Sequence, residues 1–263
     1  MTGPVKVVVC GAMGRMGQKV IQAVWNRGDL ALVGAVERPD HPLLGCQAIP
    51  LASVDLPLTS RLTAGDVYID FTSAQASLIY LDQAQALGLG AVIGTTGFSA
   101  GQEARLRQAG EKIPVLWAPN MSIGVNVMYK IAAEMARMLG PGYDLEIVEA
   151  HHRLKKDAPS GTARKLCQAL ARARGLEESK ARITGREGQV GERPPGEIGV
   201  LAVRGGDIIG DHTVHFCGPG ERLELTHRAT SRDTFAEGAA RCAAWLAGRS
   251  PGFYSIDDTL GLA

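Results

Sequence analysis

Short β-branched runs alternate with amphipathic stretches through the first half of the chain. Lys6–Cys10 (KVVVC) reads as a strand buried on both faces. In Arg15–Asn26 the apolar residues Met16, Val20, Ile21 and Val24 recur at helical spacing. Further strands are predicted at Ala31–Val36, Val67–Phe71, Ala91–Gly94 and Val115–Trp117, and helices at Gln75–Leu87 and Ala100–Ala109. Strand–helix alternation with short loops predicts a parallel sheet covered on both faces.

After Ser122 the pattern changes. Gly124–Leu139 is a long amphipathic helix, Asp144–His151 a strand and Gly161–Arg174 a helix. Ile198–Arg204, Ile208–Cys217 and Arg222–Ala229 follow as successive strands with polar or Gly-rich turns, the pattern of an antiparallel meander. Gly185–Gly196 is a polar loop, and Phe235–Leu246 is helical again. Two domains are expected: residues 1–122 completed by the C-terminal helical segment 232–263, and residues 123–231.

Composition narrows the function classes. Across 263 residues, Lys+Arg (28) and Asp+Glu (27) nearly cancel to a net charge of +1. That balance disfavours a nucleic-acid partner, which calls for a basic excess. The uncharged stretches Gln83–Gln102 and Ile113–Tyr129 are interrupted by Gly, Pro and Asn, so no membrane span is expected. The start, Met1 to Lys6, lacks the apolar core of a secretory signal. The five cysteines, Cys10, Cys46, Cys167, Cys217 and Cys242, are odd in number and widely spaced, which suggests reduced, mostly buried thiols and no zinc site. A cytoplasmic location is expected.

The first strand runs directly into Gly11-Ala12-Met13-Gly14-Arg15-Met16-Gly17, which opens a helix. Free backbone N–H groups at such a turn form a site for a pyrophosphate. The spacing is G-x-x-G-x-x-G, and plain strand-to-helix packing uses the same glycines. Glu37 ends the second strand 20 residues after Gly17, where a carboxylate accepts from ribose hydroxyls. Arg38 follows at once and suits the 2′-phosphate of NADP, so the pair leaves NADPH and NADH both open. Gly94-Thr95-Thr96-Gly97 and Ala118-Pro119-Asn120-Met121 end the fourth and fifth strands, on the side where open α/β sheets bind ligands. Asp70, ending the third of these strands, either caps the next helix or shapes the cleft.

The densest chemistry is Glu149-Ala150-His151-His152-Arg153-Leu154-Lys155-Lys156-Asp157-Ala158-Pro159-Ser160-Gly161-Thr162. His151 and Lys155 form a candidate general-acid pair, since both can donate protons. Ser160, Gly161 and Thr162 begin a helix whose N–H groups and hydroxyls suit a carboxylate. A solvated basic loop capped by Ser160 is the plain alternative. His212, His215 and His227 read as sheet-face or interface residues, His41 as a loop residue, and Trp25, Trp117 and Trp245 as core.

Taken in order, Gly11-x-x-Gly14-Arg15-Met16-Gly17, Ile69-Asp70-Phe71-Thr72, Gly94-Thr95-Thr96-Gly97-Phe98, Ala118-Pro119-Asn120 and the Glu149–Ala163 run resemble the dihydrodipicolinate reductase family, also called 4-hydroxy-tetrahydrodipicolinate reductase. The resemblance spans nearly the whole chain, and its most specific part is HHxxKxDAPSGTA. It implies an α/β fold, with a Rossmann-like parallel-sheet domain and a second α+β domain with an open mixed or antiparallel sheet. It further implies NADPH and/or NADH as cofactor, held by Gly11–Met16, Glu37, Arg38, Gly94–Thr96 and Ala118–Met121. His151 is implied as proton donor, with Lys155 as a second, and His152, Gly161 and Thr162 as carriers of a substrate carboxylate. The implied substrate is a small cyclic imine dicarboxylate and the implied assembly a homotetramer. Met121 stands where an aromatic is often found. An amino-acid dehydrogenase or a non-catalytic nucleotide sensor would share the glycine loop without needing His151 and Lys155 together.

Overall fold

The computed structural model describes residues 3–48 and 55–261. Positions 1–2, 49–54 and 262–263 of the expected first domain lie outside the described residues. The chain forms two compact units, Met1–Ile123 with Asp233–Ala263, and Gly124–Arg232.

The first unit opens with β1 (Val5–Cys10), α1 (Arg15–Trp25), β2 (Leu30–Val36), β3 (Leu58–Thr59), β4 (Val67–Asp70), α2 (Ala74–Leu87), β5 (Gly90–Ile93), α3 (Ala100–Ala109) and β6 (Pro114–Trp117). Then come α4 (Ile123–Leu139), β7 (Asp144–His151), α5 (Gly161–Ala173), α6 (Glu178–Ala181), β8 (Arg182–Ile183), β9 (Ile198–Arg204), β10 (Gly210–Gly218) and β11 (Glu221–Ala229). The chain returns to the first unit with α7 (Asp233–Leu246), β12 (Gly252–Tyr254) and α8 (Ile256–Leu260).

The first unit's sheet has the order β12-β6-β5-β4-β1-β2-β3, and every pairing is parallel. Period-two alternation divides its apolar residues between two cores. Val7, Val9, Ile69, Val92 and Leu116 join the cluster that contains the buried faces of α1 and α7. Val8, Cys10, Tyr68, Ala91, Ile93 and Val115 join the one that contains α2 and α3. A sheet so covered has no wet face, which explains why its strands read as unbroken apolar runs. Val36, Cys10, Asp70, Ile93 and Trp117 stand in one transverse row at the carboxyl ends of five strands. Every loop singled out in this unit leaves from that row.

Gly17 shows why the first loop needs glycine. A Cβ there would lie 2.0 Å from the Gly11 carbonyl oxygen, and Gly11 itself has φ +65°. Backbone cannot yield as a flexible side-chain end can. Gly17→Ala is therefore expected to cost about 1–3 kcal/mol through overpacking, measured as a lowered urea midpoint; an unchanged midpoint would show that the turn tolerates a methyl group.

The second unit's sheet runs β11-β10-β7-β9-β8 and is mixed. β10 is antiparallel to β11 and to β7, whereas β7 and β8 are parallel to β9. The expected meander is corrected here: β7 lies between β9 and β10, so these successive strands are not neighbours. One face, with Leu145, Ile147, Ile198, Val200, Val214 and Phe216, packs in a core with α4 and α5. Val203, on the opposite face by alternation, is 49% exposed. One other expectation changes. Trp25, read as core, is 45% exposed at the end of α1, and Cys46 is exposed. Cys10, Cys167 and Cys242 are buried as expected.

Candidate active site

In the first unit, β1 delivers the chain into a glycine loop tied down by backbone bonds. Ala12 N–H donates to Val36 O at 3.1 Å and Gly14 N–H to Gly11 O at 2.9 Å. Gly14 is the N-cap of α1 and brings no side-chain cap, which leaves the first turn's donors to an anion. Glu37 is buried, and its two carboxylate oxygens accept from Met13 N–H at 2.8 Å and Arg38 N–H at 3.2 Å. The carboxylate thus braces the loop, and each oxygen keeps a second lone pair for a ribose hydroxyl. Arg38 is exposed and pairs with Asp40 at 3.1 Å.

Asp70 holds the next two loops. Its carboxylate accepts from Thr72 N–H at 2.9 Å, from the hydroxyls of Thr72 at 2.6 Å and Thr95 at 3.0 Å, and from Ser77. Burial raises its pKa above its ordinary value despite these donors. It is not a helix cap: Ser73 caps α2. Gly94 is in van der Waals reach of Phe71, where a Cβ would meet the ring at 2.2 Å, while Thr96 is exposed. Trp117 Nε1 donates to Thr95 O at 3.1 Å, linking this loop to Ala118–Met121. Met121 is fully buried in the core, with its carbonyl backed against Gly238, and Ala12 and Ala118 are buried too; Pro119 is exposed and Asn120 half-buried. An uncapped helix start, an acid at the end of β2 and small residues along one sheet edge fit a dinucleotide.

In the second unit, Glu149 is the hub. It is 0% exposed. Arg204 grips it with Nη1 and Nη2, both at 2.7 Å, and Ser160 N–H donates to Oε1 at 2.9 Å. Its Oε2 lies 2.6 Å from His151 Nδ1. Burial alone would raise the Glu149 pKa; the bonds from Arg204, His151 and Ser160 outweigh it and hold the carboxyl below its ordinary value. An ionised Glu149 fixes the tautomer of its neighbour, so Nδ1 carries the hydrogen and Nε2 is left for chemistry. Gly210 keeps that atom open, since a Cβ there would stand 3.0 Å from His151 Nε2. Burial pushes the His151 pKa down further than Glu149 draws it up, and the Lys155 and Arg204 charges add to the lowering.

Lys155 is 20% exposed and bonds Asp157 Oδ1 at 2.9 Å. His152 is half-buried, and Gly161, exposed, starts α5, where its N–H has no carbonyl within the helix. Thr162 is hydrogen-bonded to Tyr129. Ser160 is committed differently from the expectation. It is 2% exposed, its Oγ accepts from Ala163 N–H at 3.2 Å, and it lies 3.1 Å from His212 Nε2. Its hydroxyl is thus engaged within the cluster.

His212, expected as a sheet-face or interface residue, is 3% exposed beside this site and stacks edge-on with His151 at 5.2 Å between ring centroids. The signal for it was available: His212 shares a period-two face with Val214 and Phe216, and a polar residue on a core stripe needs a partner. Arg204 carried no such signal, because only the β7–β9 register sets it opposite His151.

The family models of dihydrodipicolinate reductase match this chain twice, the N-terminus over residues 5–121 and the C-terminus over residues 124–260. The chain belongs to the dihydrodipicolinate reductase family. Members of this family are NAD(P)H-dependent oxidoreductases, and their N-terminal part is the nucleotide-binding domain. The 4-hydroxy-tetrahydrodipicolinate reductases of Anaeromyxobacter dehalogenans and Myxococcus xanthus are 50% and 46% identical to it, each over 98% of both chains. The dipicolinate-bound dihydrodipicolinate reductase from Paenisporosarcina sp. TG-14 has a similar structure, with a TM-score of 0.76 at 26% identity, covering 96% of this chain and 97% of that one.

The buried histidines set a pH dependence. Burial, and next the charge of His151, push the His212 pKa down to about 3. An unfolded histidine titrates near ~6.5. Between those values the unfolded state binds the extra proton, so stability rises with pH across the window and is lost as pH falls. Glu149 acts in the same direction: its lowered pKa gives stability present above the unfolded carboxylate value and lost as pH falls through the folded one. His212→Gln is expected to flatten the fall of urea-unfolding free energy between about pH 6.5 and 4. An identical slope in the variant would place the linkage elsewhere.

Proposed function

We propose that the chain reduces 4-hydroxy-tetrahydrodipicolinate to tetrahydrodipicolinate and water with NAD(P)H, in the diaminopimelate route to lysine. The observation that carries this reading most directly is His151, locked by Glu149 through Nδ1 and open at Nε2 beside Gly210. When bound, the nicotinamide supplies a hydride. The first unit holds that cofactor at Gly11–Met16, Glu37, Arg38, Gly94–Thr96 and Ala118–Asn120, with Met121 contributing backbone alone.

The second unit holds the substrate and moves the proton. The lowered pKa leaves His151 mostly neutral at pH 7 in the free protein. A dianionic substrate among Lys155, Arg153 and Lys156 cancels their charge, which raises the affinity of Nε2 for a proton. The ring hydroxyl and a hydrogen of the adjacent carbon leave as water; the hydride replaces the hydroxyl on its carbon, and the proton passes from Nε2 to the adjacent carbon. Lys155 is the second donor and orients a carboxylate. His152, Gly161 and Thr162 receive the other polar edge of the substrate. This reading predicts that kcat/KM falls as pH rises through an apparent pKa below ~6.5, and that the limb in kcat lies higher.

Both cofactors serve in this proposal, since Glu37 favours a free 2′-hydroxyl and Arg38 a 2′-phosphate. The partly exposed sheet face that carries Val203 supports a homotetramer joined through the second unit. The proposed location is the cytoplasm, with neither nucleic acid nor membrane as partner; no helix among the described residues is long and apolar enough to cross a membrane. The test follows NADPH and NADH absorbance with freshly generated substrate. Oxidation of either cofactor that depends on the substrate supports the reading, and none with both overturns it.

A further inference from the structure

A cavity of about 480 Å³ opens beside the end of β2 in the first unit. Arg38 and Arg61 both line it, and no carboxylate does. Their backbones are fixed to one another through the sheet. Glu37 N–H donates to Thr59 O at 2.9 Å, in the parallel pairing where Val36 stands opposite Thr59. Thr59 Oγ1 then bonds Arg61 O at 2.8 Å, and Leu62 N–H bonds Gln83 Oε1 of α2 at 2.9 Å. The turn after β3 is thereby pinned on both sides, with an exposed arginine at its tip.

The two arginines differ in their engagement. Arg38 pairs with Asp40 across the surface, whereas Arg61 has no ion pair among the described residues. Ser60 and Ser73 add hydroxyls to the lining. The far wall is apolar and includes Pro39, Ala76 and Ile79, and Ile79 is 55% exposed. Two cations, two hydroxyls and an exposed apolar wall match a flat aromatic base that carries a phosphomonoester nearby. A cofactor with a free 2′-hydroxyl leaves Arg38 to its Asp40 partner and gives Arg61 no counter-charge.

We infer that Arg61 is a specificity residue for the 2′-phosphate of NADPH, acting with Arg38 across this cavity. The inference rests on the reading of the first unit as the nucleotide-binding domain. Arg38 extends from the loop that carries Glu37, and Arg61 closes on the phosphate from the adjacent turn. Ile79, exposed on the cavity's apolar side, would offer a surface for the adenine.

The test is direct binding by calorimetry of NADPH, NADH, adenosine 2′,5′-bisphosphate and 5′-AMP to the wild-type protein, Arg61→Ala and Arg61→Lys. Loss of a charge-assisted contact should weaken NADPH and the bisphosphate about tenfold in Arg61→Ala and change NADH and 5′-AMP within about twofold. Arg61→Lys should recover part of the difference, because it keeps the charge and loses the fork. Arg61 is exposed in a turn, and circular dichroism checks that the variant is folded. Equal losses for phosphorylated and unphosphorylated ligands, or no loss, would overturn the role of Arg61 while leaving the nucleotide site standing. Failure of the wild-type protein to bind any of the four ligands would overturn both.

Discussion

Replacing His151 with glutamine is expected to lower kcat by about 10²–10⁴-fold, the range a positioned general acid supplies, with a much smaller change in KM for NADPH. Glutamine keeps a hydrogen-bonding head near Glu149 and loses the titrating nitrogen. Steady-state kinetics with a parallel measurement of NADPH binding check this. Near-wild-type kcat with cofactor binding intact would place the acid elsewhere, and Lys155 would be the next candidate. Lys155→Ala behaves differently. It lowers kcat and also raises the substrate KM, because a carboxylate loses its cation as well as a second donor. The two variants therefore separate protonation from binding.

Glu149→Ala is expected to destabilise the protein by about 3–5 kcal/mol, since removal of one partner leaves the other charge of a buried pair uncompensated. Arg204 loses both carboxylate bonds, Ser160 N–H loses its acceptor and the His151 ring loses its anchor. Unfolding in urea gives the first number. Glu149→Gln keeps the shape and an acceptor for Ser160, so the variant survives to be assayed. Its catalytic signature is distinct from instability. Glu149 raises the His151 pKa against the effect of burial, so its loss moves the limb of kcat/KM toward lower pH. A double-mutant cycle with Arg204→Ala isolates the pair: the second substitution should cost less once Glu149 is gone. Additive losses would show that the two side chains stabilise the fold independently, and an unmoved pH profile in Glu149→Gln would remove Glu149 from the acid's positioning.

The alternating half of the fold was legible because each strand there is buried on both faces. Every strand that lines the core at β1, β2, β4, β5 and β6 announced itself as an apolar run. The short edge strands β3, β8 and β12 span two or three residues and carry no periodicity. The order of the second sheet was also hidden. Successive strands with polar turns read as a meander, yet the chain crosses over after β9 and leaves β7 in between. The same crossover explains the partial view of the site. His151, Lys155 and Ser160 lie in one contiguous run and could be found together. Arg204 and His212 arrive from β9 and β10, on opposite sides of β7, and only strand pairing brings them to Glu149.

The division of the first unit between the two ends of the chain bears on how the protein is made. The second unit is continuous, Gly124–Arg232, and all of it has been synthesised before α7 begins. The first unit cannot close its core until Ala236–Leu246 have left the ribosome, because those residues supply the buried face of α7. A nascent chain therefore carries the part of one sheet face that α7 covers unprotected while the later unit is synthesised, with α1 alone packed on that side. Emergence of Ala236–Leu246 from the ribosome is the earliest point at which the core of the nucleotide-binding unit can be completed, after the whole of the second unit is available to fold.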